Sequence, residues 1–181
     1  MMMSRKLHIG GTRKYPGWEV LNVVPGPHVD YPCDAKDLSQ FSDNTFADLY
    51  ASHVLEHFDY AGELIAALKE WYRVLSPGGR IYISVPDLDV LAHCFLLKDE
   101  LTLDDRFFVM RMMFGGHVDK YDYHLVGLNQ DLLTLFLVHA GFKHIQKVCD
   151  FGFFEDASRQ LFKGVHISLN MIAQKPIEHV G

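Results

Sequence analysis

Apolar and polar positions along this chain change period in a regular order. Lys6–Ile9 is a short β-rich run that ends in Gly10-Gly11, and residues 18–24 form a second run, stopped by Pro25-Gly26-Pro27. Both predict strands. Residues 28–32 predict a third strand, which should be rudimentary, because a parallel crossover needs about a dozen residues and only the Pro-Gly-Pro turn intervenes. Phe46–Ser52 predicts a fourth, entered through the turn-like Ser42-Asp43-Asn44-Thr45 and left through the polar residues 53–57. Between residues 61 and 75, Leu64, Ile65, Leu68, Trp71, Tyr72 and Leu75 share one helical face. That pattern predicts an amphipathic helix closed by Ser76-Pro77-Gly78-Gly79. Residues 80–85 alternate as a strand before Pro86. Residues 88–97, 104–113 and 129–140 read as helices, the last ended by Gly141, and residues 144–151 and 165–173 as closing strands. Strands alternating with helices predict an α/β fold with a mainly parallel sheet covered on both faces, and residues 1–181 as a single domain.

Composition narrows the function classes. With 181 residues, 49% apolar and 22% charged, the chain can bury about 70% of its unfolded surface, so a core needs no disulfide framework or structural metal. Cys33, Cys94 and Cys149 are odd in number and widely spaced, without a C-x-x-C pair, which points to a reducing compartment. Seventeen Lys and Arg against 23 Asp and Glu give a net charge of −6, the wrong sign for phosphate-driven binding, so nucleic acid is not expected as a partner. No apolar run suits a signal peptide or a membrane span, and a cytoplasmic protein without a membrane partner is expected.

Four stretches, in this order, resemble the class I S-adenosylmethionine-dependent methyltransferases, in particular the small bacterial, methyltransferase type 11-like group. They are Leu7-His8-Ile9-Gly10-Gly11; Asp34-Ala35-Lys36-Asp37-Leu38 followed by residues 41–46; Ser52-His53-Val54-Leu55-Glu56-His57; and Leu75-Ser76-Pro77-Gly78-Gly79. The resemblance implies a three-layer Rossmann-like sheet, mostly parallel, with an antiparallel C-terminal strand inserted beside residues 144–151. It also implies S-adenosylmethionine as cofactor and methyl transfer to a small-molecule or sugar-containing acceptor. Glycines after the first strand let the backbone approach a cofactor at the sheet's carboxyl edge. On this resemblance the cofactor-binding candidates are Gly10, Gly11, Thr12, Val24, Asp34, Ala35, Ser52 and His53. Two departures stand out. Thr12-Arg13 follows the glycines where a third small residue is usual, and Asn22-Val23-Val24 stands where the group commonly has Asn-Ile-Asp, putting Val24 in place of the ribose carboxylate. Asp30, 20 residues after Gly10, is a candidate substitute.

In the region where the resembling enzymes place substrate-facing inserts lies His117-Val118-Asp119-Lys120-Tyr121-Asp122-Tyr123-His124. His124 or His117 is the candidate base, with Asp119 orienting it. Residues 154–158 form a second candidate rim. His53-Val54-Leu55-Glu56-His57 also fits H-x-x-E-H, a zinc-protease pattern that needs both imidazoles on one helical face. Because the motif leaves a strand, no metal is expected at His53 and His57, and Glu56 and His57 are expected to anchor a turn or cap a helix. Trp18 and Trp71 are expected to pack. The alternative reading of the whole chain is a catalytically silent methyltransferase-like scaffold.

Overall fold

The computed structural model describes residues 4–177. The chain forms β1 (Lys6–Ile9), β2 (Glu19–Asn22), β3 (Tyr31–Pro32), β4 (Phe46–Ser52), α1 (Glu63–Val74), β5 (Leu75–Pro86), α2 (Leu88–Leu96), α3 (Leu103–Phe114), α4 (Gln130–Ala140) and β6 (Lys143–Val148). A small hairpin, β7 (Leu161–Phe162) and β8 (Val165–His166), precedes the last strand, β9 (Ser168–Gln174). Seven strands make one sheet in the order β3-β2-β1-β4-β5-β9-β6. All neighbours run parallel except β9, which is antiparallel to both β5 and β6. The Rossmann-like architecture expected from the sequence is thus present, down to the inserted antiparallel strand and a third strand only two residues long.

Alternation along the strands divides the core. Leu7, Ile9, Leu49, Ala51, Ile81 and Ile83 face α1 and α4, and all are buried. On α1 the buried stripe is Leu64, Ala67, Leu68, Trp71 and Val74. The opposite face carries His8, Tyr50 and Tyr82. It is covered at the sheet's centre by aromatic side chains from connecting segments: Tyr15, Phe151, Phe153 and Phe154. The links 10–18 and 23–30 are too short to carry covering helices, and α2 and α3 instead pack on each other and on Ile167.

Several boundaries differ from the sequence-based expectation, three of them in the C-terminal half of the sheet. β5 starts at Leu75 rather than at residue 80: Leu75 pairs with Phe46 and Arg80 with Asp48, so Ser76-Pro77-Gly78-Gly79 forms an irregularity within the strand, with Gly78 at φ +78°. The expected strand 165–173 is broken at Ile167, which leaves the ladder to pack against α2 and α3 while its carbonyl accepts the Asp87 N–H at 2.9 Å. β6 ends at Val148, before Phe151 turns onto the aromatic face. The helix starts have local causes: Thr102 and Asp105 form a capping box for α3, and Asn129 caps α4. Among the described residues no helix is long and apolar enough to cross a membrane.

His8 is the polar residue buried in the aromatic face. It is 6% exposed, stacks on Phe154 at 4.7 Å and meets Tyr50 edge-on, and its Nδ1 has no partner. Burial pulls its pKa down to about 4, against a smaller opposing pull from Asp156. Folded His8 therefore stays neutral down to about pH 4, whereas the unfolded chain takes up the proton near its ordinary value of about 6.5. The stability is complete above pH 6.5 and is lost as pH falls to 4, by about 3 kcal/mol. Urea unfolding of the wild-type protein and of His8→Phe between pH 7 and 4 checks this: the variant should lose less stability over that range, and equal slopes would refute it.

Candidate active site

The carboxyl ends of β1, β2 and β4 open onto a cavity of about 580 Å³. Its floor is set by Gly10, at φ +79°, where a Cβ would stand 2.5 Å from Val54 Cγ2. Only glycine fits both the space and the left-handed backbone. The loop is held by Asn22, the last residue of β2. Asn22 Nδ2 donates to the carbonyls of Gly10 (3.1 Å) and Gly11 (3.0 Å), and its Oδ1 accepts from Val24 N–H at 2.9 Å. Gly10 N–H donates to Leu21 O at 2.8 Å. Two strand ends are thereby tied into one rim.

The wall at residues 34–43 is fixed from behind by α1. Trp71, wholly buried, donates from Nε1 to Ala35 O at 2.7 Å, and Arg73 donates to Phe41 O (2.8 Å) and Leu38 O (3.0 Å). Asp34 turns the chain by accepting Lys36 N–H at 2.9 Å. Lys36 Nζ lies 2.7 Å from Glu63, a second carboxylate on the cavity, and that contact raises the lysine's pKa and lowers the glutamate's.

A glycine-kinked first strand, a polar residue ending the second and a cavity across the carboxyl edge of this strand order decide the fold. The chain has the class I methyltransferase fold. Residues 20–83, roughly a third of the chain, match the family model described as a methyltransferase domain. An S-adenosylmethionine-dependent methyltransferase from Archaeoglobus fulgidus superposes with a TM-score of 0.60 at 17% identity, covering 96% of this chain and 87% of that one. The 1,6-didemethyltoxoflavin-N1-methyltransferase of Burkholderia thailandensis, determined with S-adenosylhomocysteine, gives 0.60 at 17%, covering 96% and 71%. A Bordetella parapertussis protein described as a possible exported protein gives 0.61 at 12%; this chain covers 62% of its length, less than two thirds. No curated protein matches the chain. S-adenosylmethionine is the cofactor of the methyltransferase family.

On this methyltransferase fold the expected site residues separate. Gly10, Val24, Asp34, Ala35, His53 and Asp119 line the cavity. Gly11 does not: it packs against His8, whose Nδ1 would lie 2.8 Å from a Cβ there. Thr12 is exposed. Ser52 shares the β4 face of Tyr50, away from the cavity, with its Oγ buried and unpartnered. Val24 lies beyond the end of β2 and is 54% exposed; the strand-end position expected to hold the ribose belongs to Asn22, which composition and spacing did not single out. Asp30 is corrected as a ribose substitute. It accepts from Lys14 Nζ at 2.6 Å and Val20 N–H at 2.9 Å, outside the cavity lining.

The candidate base is also corrected. His117 donates to Phe114 O at 2.8 Å and stacks on Tyr123 at 4.1 Å, facing a different depression beside α3. His124 is absent from the cavity lining and stands edge-on behind His57 at 5.0 Å. Asp119 orients neither ring, since its Oδ1 accepts Tyr121 N–H; the acid whose charge acts on His124 is Glu56, and His124 in turn helps lower Asp122. Glu56 caps nothing. The Leu55–His57 turn has no side-chain cap, and Glu56 is 1% exposed among His53, His57 and His124. Burial pushes its carboxyl up, but the three facing rings outweigh burial and hold it below the usual carboxylate range. Burial lowers His124, with Glu56 opposing.

The Asn22 anchor yields a prediction. Asn22→Ala leaves two half-buried carbonyls without a donor and should destabilise the protein by about 1–2 kcal/mol, whereas Val23→Ala should stay within about 0.5 kcal/mol. Urea denaturation of the two variants measures the difference, and equal stabilities would remove Asn22 from the role.

Proposed function

We propose that the protein transfers a methyl group from S-adenosylmethionine to a small-molecule or sugar-containing acceptor. The observation carrying this reading is that Gly10, Asn22 and the 34–35 segment converge on one cavity at the sheet's carboxyl edge, with a floor at Gly10 where a Cβ would collide with Val54. The cavity size and its mixture of apolar and polar walls suit the cofactor. The cofactor supplies an electrophilic methyl on sulfur when bound. Gly10 gives its backbone room, Asn22 and Val24 take the ribose side, and Asp34 and Ala35 the adenine side. Asp119, Tyr121 and Tyr123 form the facing wall, where an acceptor would be oriented for in-line attack. Cys33, Cys94 and Cys149 are free thiols, which supports the cytoplasm as its compartment.

A second reading, a silent scaffold of the same fold, is favoured by one feature: the ribose side has a neutral, already engaged amide at Asn22 and an apolar Val24 where a carboxylate would serve. Titration calorimetry with S-adenosylhomocysteine separates the two. Wild type should bind weakly, and Val24→Asp should bind about tenfold more tightly, because a charge-assisted hydrogen bond is worth roughly 1.5–3 kcal/mol. Equal affinities would show that Asn22 already serves the diol. Absence of binding to both proteins at millimolar ligand would establish the scaffold reading.

A further inference from the structure

Glu56 is buried, and neither of its oxygens accepts a hydrogen bond. A carboxylate enclosed without donors costs several kcal/mol unless a cation or proton compensates it. Its neighbours decide which. The single hydroxyl proton of Ser168 goes to Ala157 O at 2.7 Å, so Ser168 Oγ must accept from His53 Nε2, 3.1 Å away. The other nitrogen of the same ring, His53 Nδ1, faces Glu56 Oε1 at 3.2 Å. His57 Nδ1 lies 3.0 Å from Tyr123 O, which can only accept, so His57 donates there and Nε2 is left bare. His124 Nδ1 is buried with no partner. Two imidazoles and a carboxylate, those of His57, His124 and Glu56, thus bring ligand atoms together around one point, with His53 beside Glu56.

We infer that Glu56, His57 and His124, with His53 beside them, form a binding site for one divalent first-row transition-metal ion. One ligand atom from each of Glu56, His57 and His124 lies within 4.8 Å of the other two. Ligands of a single ion at about 2.1 Å stand at most about 4.2 Å apart, so small side-chain rotations close the site. The frame is built: Glu56 O accepts Leu125 N–H at 2.7 Å, which pins the loop bearing His124 to the turn bearing Glu56 and His57. The His57 hydrogen bond to a backbone carbonyl is the arrangement that orients metal-bound imidazoles. A nitrogen-rich donor set selects Zn(II), Co(II) or their neighbours over Mg(II) and Ca(II), which take oxygen ligands. The helical zinc-protease geometry is absent, since His53 leaves β4 at φ 54° and the motif folds as a short turn; the third donor comes from a distant loop. The inference does not rest on methyl transfer.

The test is titration of the chelator-stripped protein with CoCl₂, read by visible absorption, and with ZnCl₂ by calorimetry. About one equivalent should bind, with the visible bands of nitrogen-coordinated cobalt, and 1 mM MgCl₂ should not displace it. His124→Ala and Glu56→Gln should each weaken binding at least tenfold, while His166→Ala, an exposed histidine elsewhere, should leave it unchanged. Circular dichroism confirms folding, and if Glu56→Gln does not fold, His124→Ala decides. No binding at 100 µM ion, or binding unaffected by both substitutions, overturns the site. A parallel S-adenosylhomocysteine titration keeps the two readings apart: cofactor binding without metal overturns only the metal site, and metal without cofactor only the methyl-transfer reading.

Discussion

The structure depends on β1, β2 and β4 ending at the same level. Ile9 pairs with Leu21 on one side and with Ala51 on the other, so β1 leaves the sheet at Gly10, level with Asn22 and Ser52, the last paired residues of β2 and β4. That shared exit places Gly10, Asn22 and the segment leaving Ser52 on a single edge. Parallel strands pairing in this register leave a crevice outside their carboxyl ends, and ligand sites of open α/β sheets occupy it. The Asn22 amide completes the rim by fastening the β1 loop to β2, in hydrogen bonds that replace part of the ladder the strands no longer form.

The same register explains which features were legible in the sequence. Element order and strand direction follow from period and turn residues, and the antiparallel insertion of β9 was implied by family resemblance. The expected end of the second strand lay two residues too far along because Val23 and Val24 continue the β-rich composition of β2, although pairing stops at Asn22. Nothing in residue type distinguishes a valine in a ladder from one in the bend beyond it; the difference lies in Asn22 turning its amide back onto the glycine loop. Asp30 misled for a related reason. Counting from Gly10 presumes a helix after β1, and the short link instead leaves Asp30 beside Lys14 and the Val20 amide.

Short links also account for the sheet's unequal faces. Without room for helices at 10–18 and 23–30, the face bearing His8, Tyr50 and Tyr82 had to be shielded by something else, and the aromatic residues of 151–154 do it. Edge-on and stacked rings bury large areas from few residues, so a segment without regular structure can replace a helical layer. The arrangement ties the C-terminal third to the first strand, since Tyr50 donates to Asp156 at 2.7 Å and His8 stacks on Phe154.

Buried polar groups elsewhere set the standard by which the Glu56 cluster stands out. Lys175, 7% exposed, gives its ammonium to Asn44 Oδ1 and Tyr72 O, and Asn170 Nδ2 serves two carbonyls. These are the satisfied interactions expected of groups that hold a fold together. Among the described residues Glu56 is the one carboxylate buried without a hydrogen bond, and the other unpartnered atoms are hydroxyls, an amide oxygen and imidazole nitrogens, whose burial costs far less. A fold that partners its structural lysine so fully has no packing reason to leave a carboxylate bare. The carboxylate sits between two histidines that reach the cleft and one that stands behind it, where its oxygens and the neighbouring ring nitrogens lie close enough together to share a ligand.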